Sequence, residues 1–237
     1  MHKDIKELLV ALTAGPTPHL ALKAARADGS LARLLPELDA LYGVPQTEEH
    51  HPEVDTGIHC EMVMEVAALL SNRPRARFAA LMHDLGKGVT PQEEWPKHHK
   101  HEANGIPLVE QVCDRAEVPD DWRRIGMLTS KYHLEGHKAM NLRPGTLVKF
   151  FQETGFLDDS TMFEDFLLAC EADKRGRGGM LDSDYPQGQF LAKAMEVVRH
   201  ALPLKANLPD DEALYVGRIR DLKRYMVGLK RPTAEMV

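Results

Sequence analysis

The stretch Phe78-Ala79-Ala80-Leu81-Met82-His83-Asp84-Leu85-Gly86-Lys87-Gly88 decides the reading of this chain. Its first half is apolar at helical spacing, and Gly86 and Gly88 predict the end of that helix. A histidine and an aspartate therefore stand together at a helix end, with side chains about 100° apart around its axis. An imidazole nitrogen and one carboxylate oxygen can grip a divalent ion while the second carboxylate oxygen reaches another. Lys87 adds a point charge suited to phosphate. The glycines leave room for a substrate to approach the backbone.

Two ligands need partners. His59 opens the preceding predicted helix, 58–70, and the helix ending at His83 starts near Arg75. If the two pack antiparallel, the start of one lies beside the end of the other, and His59 meets His83 and Asp84. Asp173 closes a strongly apolar segment, Phe166-Leu167-Leu168-Ala169-Cys170, where a carboxylate needs a partner. His59, His83, Asp84 and Asp173 form a mixed nitrogen and oxygen donor set. It suits Mn, Fe, Co, Ni, Zn or Mg with open positions rather than a closed structural zinc. The histidine distribution points the same way, because 9 of the 12 histidines fall between His50 and His137.

The rest of the chain reads as all-α. Ile5, Leu8, Leu9 and Leu12 follow helical spacing, and Gly15-Pro16-Thr17-Pro18 ends that segment. Further helices are predicted at about 18–28, 31–42, 102–116, 120–134, 144–154, 161–175, 188–201 and 210–228, while strand-like alternation is nearly absent. A polar loop near 43–56 predicts the main boundary. It divides an N-terminal helical annex, 1–45, from a main bundle, 46–205, followed by a C-terminal helix and tail, 206–237.

Composition narrows the function classes. The chain has 237 residues, 43% hydrophobic and 28% charged, enough for a sizeable core. No apolar run approaches the roughly 18 residues of a membrane span. The start, Met1-His2-Lys3-Asp4-Ile5-Lys6-Glu7, lacks a signal peptide's apolar region. Cys60, Cys113 and Cys170 are far apart and odd in number, which argues against a disulfide framework and predicts a cytoplasmic protein. A net charge of −6 argues against general nucleic-acid binding. The local run Arg175-Gly176-Arg177-Gly178-Gly179 can still fold around a phosphate.

A His, then His-Asp, then a distant Asp on a helical bundle resembles the HD-domain phosphohydrolase superfamily. The resemblance narrows to the HD region of bacterial multifunctional CCA-adding enzymes, the tRNA nucleotidyltransferases. It is carried by Leu34-Leu35-Pro36-Glu37-Leu38-Asp39-Ala40-Leu41-Tyr42-Gly43-Val44-Pro45, by His51-Pro52-Glu53-Val54-Asp55-Thr56-Gly57-Ile58-His59, and by Trp95-Pro96-Lys97-His98 with His101-Glu102. Glu171-Ala172-Asp173, Arg175-Gly176-Arg177 and Asp184-Tyr185-Pro186-Gln187-Gly188 complete it. These segments run in the family's order over about residues 5–200. The nucleotidyltransferase head's Gly-Ser and Asp-x-Asp motifs do not occur in residues 1–30, so CCA addition is not expected.

The resemblance implies an HD-domain helical bundle and metal-dependent hydrolysis of 2′,3′-cyclic nucleotides, 2′-nucleotides and simple phosphomonoesters. It also implies a second tier of ligands. The order His, His-Asp, His, His, Asp resembles two-metal members of the superfamily, so His101 and His133 would hold a second ion with Asp84 bridging. Asp84 and Lys87 are the expected catalytic residues. Lys87, His98, Arg175 and Arg177 are the expected substrate contacts. The partner expected is a small nucleotide. The alternatives are another nucleotide phosphohydrolase, such as a nucleoside monophosphatase, or a non-enzymatic remnant that binds tRNA or other RNA.

Overall fold

A computed structural model describes residues 2–204 and 208–229, and for residues 2 and 3 only the backbone. Among the described residues there are helices and turns but no strand; the one β-bridge pairs Pro45 with Asp55. The all-α expectation holds.

By compactness the chain divides into two units, residues 1–134 with 161–185, and residues 135–160 with 186–237. In the first unit α1 (His2–Thr13), α2 (Pro18–Ala27), α3 (Ser30–Leu34) and α4 (Pro36–Asp39) lead into the long loop before α5 (Thr56–Leu70). There follow α6 (Pro74–Met82), a 3-10 turn (Leu85–Val89), α7 (His101–Ala116), most of α8 (Asp120–Lys138) and α10 (Ser160–Arg175). The second unit packs α9 (Pro144–Thr154), α11 (Pro186–Arg199) and α12 (Asp210–Leu229), with α12 against both others.

The partition at 43–56 is corrected. The first helices are not a separate annex: α1 packs on α2, α6 and α7, and α2 packs on α5. Leu12, Leu22, Leu31 and Leu35 are fully buried in that shared core. The helix predicted at 31–42 is in fact two. Leu35 leaves the helical region, with φ −132°, because the Pro36 ring crowds the residue before it. Pro36 then serves α4 as a first-turn proline, as Pro18, Pro74 and Pro144 serve α2, α6 and α9.

α5 is the central strut. It is apolar on most of its circumference, and most of its residues are buried. Asp55 caps it, accepting from Ile58 N at 3.0 Å, while its second oxygen accepts from Gly43 N at 2.7 Å. The cap thus ties the loop to the helix start, where His59 sits. α5 packs on α6, so the start of α5 meets the end of α6 as the sequence predicts.

Candidate metal centre

Five elements of the first unit deliver the candidate ligands. His59 comes from the first turn of α5, His83 and Asp84 from the end of α6, and Asp173 from the last turn of α10. His101 is the first residue of α7, and His133 lies in α8. All six are buried, His101 being the most exposed at 7%.

They assemble as two trios joined at Asp84. In the first, His59 Nε2 lies 3.1 Å from Asp173 Oδ1, and His83 Nε2 lies 3.9 Å from the same oxygen and 3.1 Å from Asp84 Oδ2. In the second, the other Asp84 oxygen, Oδ1, lies 3.4 Å from His101 Nε2 and 3.6 Å from His133 Nε2, with the two nitrogens 3.4 Å apart. At bond lengths of about 2.1 Å, neighbouring ligand atoms around one ion are about 3.0–3.4 Å apart, and opposite ones about 4.2 Å. The separations above, 3.1–3.9 Å, lie between those two limits.

The second nitrogens of the rings have their own partners. His83 Nδ1 points at the Ala80 carbonyl, 2.7 Å away, and His101 Nδ1 at the His98 carbonyl, 2.9 Å away. His133 Nδ1 shares the Thr129 and Ser130 carbonyls, each at 3.1 Å. His59 Nδ1 lies 2.8 Å from Glu53 Oε1, off the straight hydrogen-bond line. A nitrogen facing a carbonyl acceptor carries the proton, so the neutral rings of His83, His101 and His133 turn their Nε2 lone pairs inward, whereas His59 faces a carboxylate on each side, Asp173 at Nε2 and Glu53 at Nδ1. Lone pairs of three imidazoles and oxygens of two carboxylates then face one another, an arrangement that a positive charge between them would relieve. His83 Nε2 and Asp84 Oδ1 accordingly make no hydrogen bond. Such an acceptor-lined pocket fits divalent cations.

The electrostatics agree. Burial pushes the His133 imidazole down to about 3, keeping it a neutral ligand. Burial acts on His83 in the same direction, but the Asp84 and Asp173 carboxylates outweigh it and raise its proton affinity. Burial would raise Asp84, yet His83 and Lys87 beside it hold it well below the usual carboxylate range.

The expected phosphate contacts divide. Lys87 is buried, and its ammonium donates to Asp84 Oδ2 at 2.6 Å and to Gln46 Oε1 at 2.5 Å, so its charge is committed to the Asp84 carboxylate. His98 uses both ring nitrogens within the protein, on Thr90 Oγ1 at 2.6 Å and the Pro45 carbonyl at 2.7 Å. It is a bolt between two loops, not a phosphate contact. Arg175 is held on Glu171 and the Leu181 carbonyl. Arg177 reaches Asp173 Oδ1 at 3.4 Å, and its Nε is buried without a hydrogen-bond partner. Gly86 also serves another end than the one expected: an added Cβ would meet the His101 carbonyl, so the space is filled by α7.

Sequence reasoning missed Glu53. Its Oε1 lies 3.0 Å from His51 Nδ1 and 2.8 Å from His59 Nδ1, and its Oε2 accepts from Gly178 N at 3.0 Å. Burial alone would raise this carboxyl, but those donors hold it well below its ordinary value. The signal was its place in His51-Pro52-Glu53, just ahead of His59. The fold of that loop, which aims it inward, is not written in any periodicity.

Comparison with known proteins follows the same lines. The HD domain family matches residues 56–151, a span that includes His59, His83, Asp84, His101 and His133. The multifunctional CCA protein of Hahella chejuensis is 51% identical over 174 residues, 73% of this chain and 41% of that protein. Those of Teredinibacter turnerae and Ectopseudomonas mendocina are each 41% identical, covering 87% and 89% of this chain and 52% and 53% of their own lengths. The chain thus spans about half the length of the curated relatives it matches. No solved structure matches it. Among the described residues, no helix is long and apolar enough to cross a membrane. Residues 56–151 are thus similar to the HD domain family, and most of the chain is similar to about half the length of the multifunctional CCA proteins.

Proposed function

We propose that this chain hydrolyses nucleotide phosphoesters, with 2′,3′-cyclic nucleotides, 2′-nucleotides and simple phosphomonoesters as its substrates. One ion is held by His59, His83, Asp84 and Asp173, and a second by Asp84, His101 and His133. The observation that carries this reading is the convergence of Nε2 atoms and carboxylate oxygens in two trios, His59, His83 and Asp173 and Asp84, His101 and His133, with the second oxygen of Asp84 reaching His83 of the first. Four imidazoles favour a transition ion (Mn, Fe, Co, Ni or Zn) over Mg. When bound, such an ion supplies Lewis acidity toward a phosphoryl oxygen and lowers the pKa of water.

The chain's own residues do the rest. Asp84 offers one oxygen to each trio, and Lys87 holds that carboxylate in place through Oδ2. Arg177, beside Asp173 and with a buried guanidinium N–H still available, presents donors for phosphate oxygens. His98 fastens the loops at Thr90 and Pro45 behind the centre. Phosphoryl transfer asks little covalent chemistry of a protein, so positioning and charge suffice.

The test is a screen of the purified protein against 2′,3′-cyclic AMP and 2′-, 3′- and 5′-AMP with Mn, Co, Ni, Zn or Mg. Turnover of the cyclic and 2′ substrates, abolished by chelation, is expected. Turnover confined to 5′-AMP would replace the substrate assignment with a nucleoside monophosphatase. Metal-loaded protein that hydrolyses none of them would overturn the enzymatic reading.

A further inference from the structure

Glu53, His51 and His59 bring three potential ligand atoms within 4.8 Å of one another, so the trio could be taken for a third metal site. Its chemistry points elsewhere. His59 already turns Nε2 toward Asp173, 3.1 Å away. For its Nδ1 to bind metal as well, the ring would have to lose its second proton. A carboxylate, by contrast, only accepts, and three nitrogens approach Glu53: His51 Nδ1 at 3.0 Å and His59 Nδ1 at 2.8 Å, the latter off the straight hydrogen-bond line, at Oε1, and Gly178 N at 3.0 Å at Oε2.

Resting on the metal-centre reading above, we propose that Glu53 is the positioning residue of this centre. One oxygen fixes the Nδ1–H tautomer of His59, so that Nε2 faces the metal, and the other fastens the loop that carries Arg177. A carboxylate behind a metal-binding histidine raises its basicity and orients its ring. Here the same carboxylate also joins the loop before α5 to the end of α10, which share no sequence neighbourhood.

The backbone is built to hold it there. Val54, the next residue, has φ 60°, a left-handed conformation costly for a β-branched side chain. It is kept by Val54 N on the His51 carbonyl at 2.8 Å and by Gln46 N on the Val54 carbonyl at 2.6 Å. The turn aims Glu53 inward, where its side chain is only 4% exposed.

The test compares the full chain with its Glu53→Gln and Glu53→Asp variants by calorimetric titration with Mn. Imidazole ¹⁵N NMR on the metal-free proteins reads the tautomers. Glutamine has one acceptor oxygen and an amide that donates, so it cannot serve three N–H donors. Glu53→Gln should bind the same number of Mn ions about 10–100-fold more weakly. His59 should lose its single Nδ1–H tautomer, and KM should rise as the Arg177 loop loosens. Glu53→Asp keeps an acceptor-only group and should restore part of the tautomer preference. If Glu53→Gln does not fold, as judged by circular dichroism, the shorter Glu53→Asp carries the same readouts.

His51→Ala should leave the Mn stoichiometry unchanged. One ion fewer in His51→Ala or Glu53→Gln, with the others bound normally, would make this a third metal site and overturn the proposal. An unaltered His59 tautomer with wild-type Mn affinity in Glu53→Gln would overturn it too. These outcomes are separable from a failure of the proposed function, since wild-type protein that binds no Mn refutes the metal centre, whereas the tautomer is read without metal or substrate.

Discussion

At the scale of single residues, function rests on which polar atoms the protein satisfies itself and which it leaves facing the pocket. Arg175 and Arg177 are two positions apart in one glycine-rich run, yet only Arg177 keeps a buried donor without a partner. Replacing Arg177 with Ala should lower kcat/KM about 10–100-fold, the worth of one or two charge-assisted hydrogen bonds to phosphate. Metal content, read by atomic absorption, should not change. Arg175→Ala should stay within a few-fold of wild type, and equal losses in both variants would return Arg175 to the substrate contacts. The six residues that the structure brings together were legible in the sequence, His59, His83, Asp84 and Asp173 from their places near the ends of apolar helices and His101 and His133 through the family resemblance. The tasks of Lys87, His98 and Glu53 were not. Each depends on which carbonyl or carboxylate a loop brings within 3 Å, and no spacing along the chain encodes that.

At the scale of elements, the centre exists because three of them approach unusually closely. A Cβ on Gly86 would lie 1.9 Å from the His101 carbonyl oxygen, and one on Gly105 would lie 2.3 Å from Ser130 Oγ. The 3-10 turn therefore rests directly on α7, and α7 on α8, which brings Asp84, His101 and His133 to one point. Gly86→Ala should force the turn off α7 and cost about 3 kcal/mol, at the upper end of overpacking effects, read as a shift in the urea midpoint. It should weaken the trio of Asp84, His101 and His133 more than that of His59, His83 and Asp173. An unchanged midpoint would mean that the turn relaxes freely and that the close approach is not what assembles the site. The sequence marked Gly86 as a helix stop. It could not tell a stop needed for a substrate from one needed for a neighbouring helix, because both call for the same missing side chain. Likewise, apolar spacing from 31 to 42 gave one helix, and only the crowding before Pro36 divides it.

At the scale of the whole chain, the candidate centre lies within one compact unit, residues 1–134 with 161–185. The N-terminal helices are part of that unit's core. Arg77, buried in α6, donates to the Gly15 carbonyl at 2.8 Å and so binds the end of α1 to the helix that carries His83. Deleting residues 1–45 should therefore abolish the cooperative thermal transition and metal binding together, since it strips fully buried leucines from the shared core. A soluble fragment from residue 46 onward that melts cooperatively and binds Mn would restore the boundary expected near 43–56. The polar composition of that loop suggested a domain boundary. Its composition instead serves the Asp55 cap and the inward turn at Glu53, two functional reasons for polar residues that a linker would also show.

The most direct measurement is anomalous scattering from crystals of the full chain saturated with Mn. Two peaks are expected, one enclosed by His59, His83, Asp84 and Asp173 and the other by Asp84, His101 and His133, with the Asp84 carboxylate between them. Asp84→Ala should remove the second and weaken the first. Saturated crystals with no peak touching Asp84, or Mn bound in full by the Asp84→Ala protein, would contradict a metal centre organised around that carboxylate.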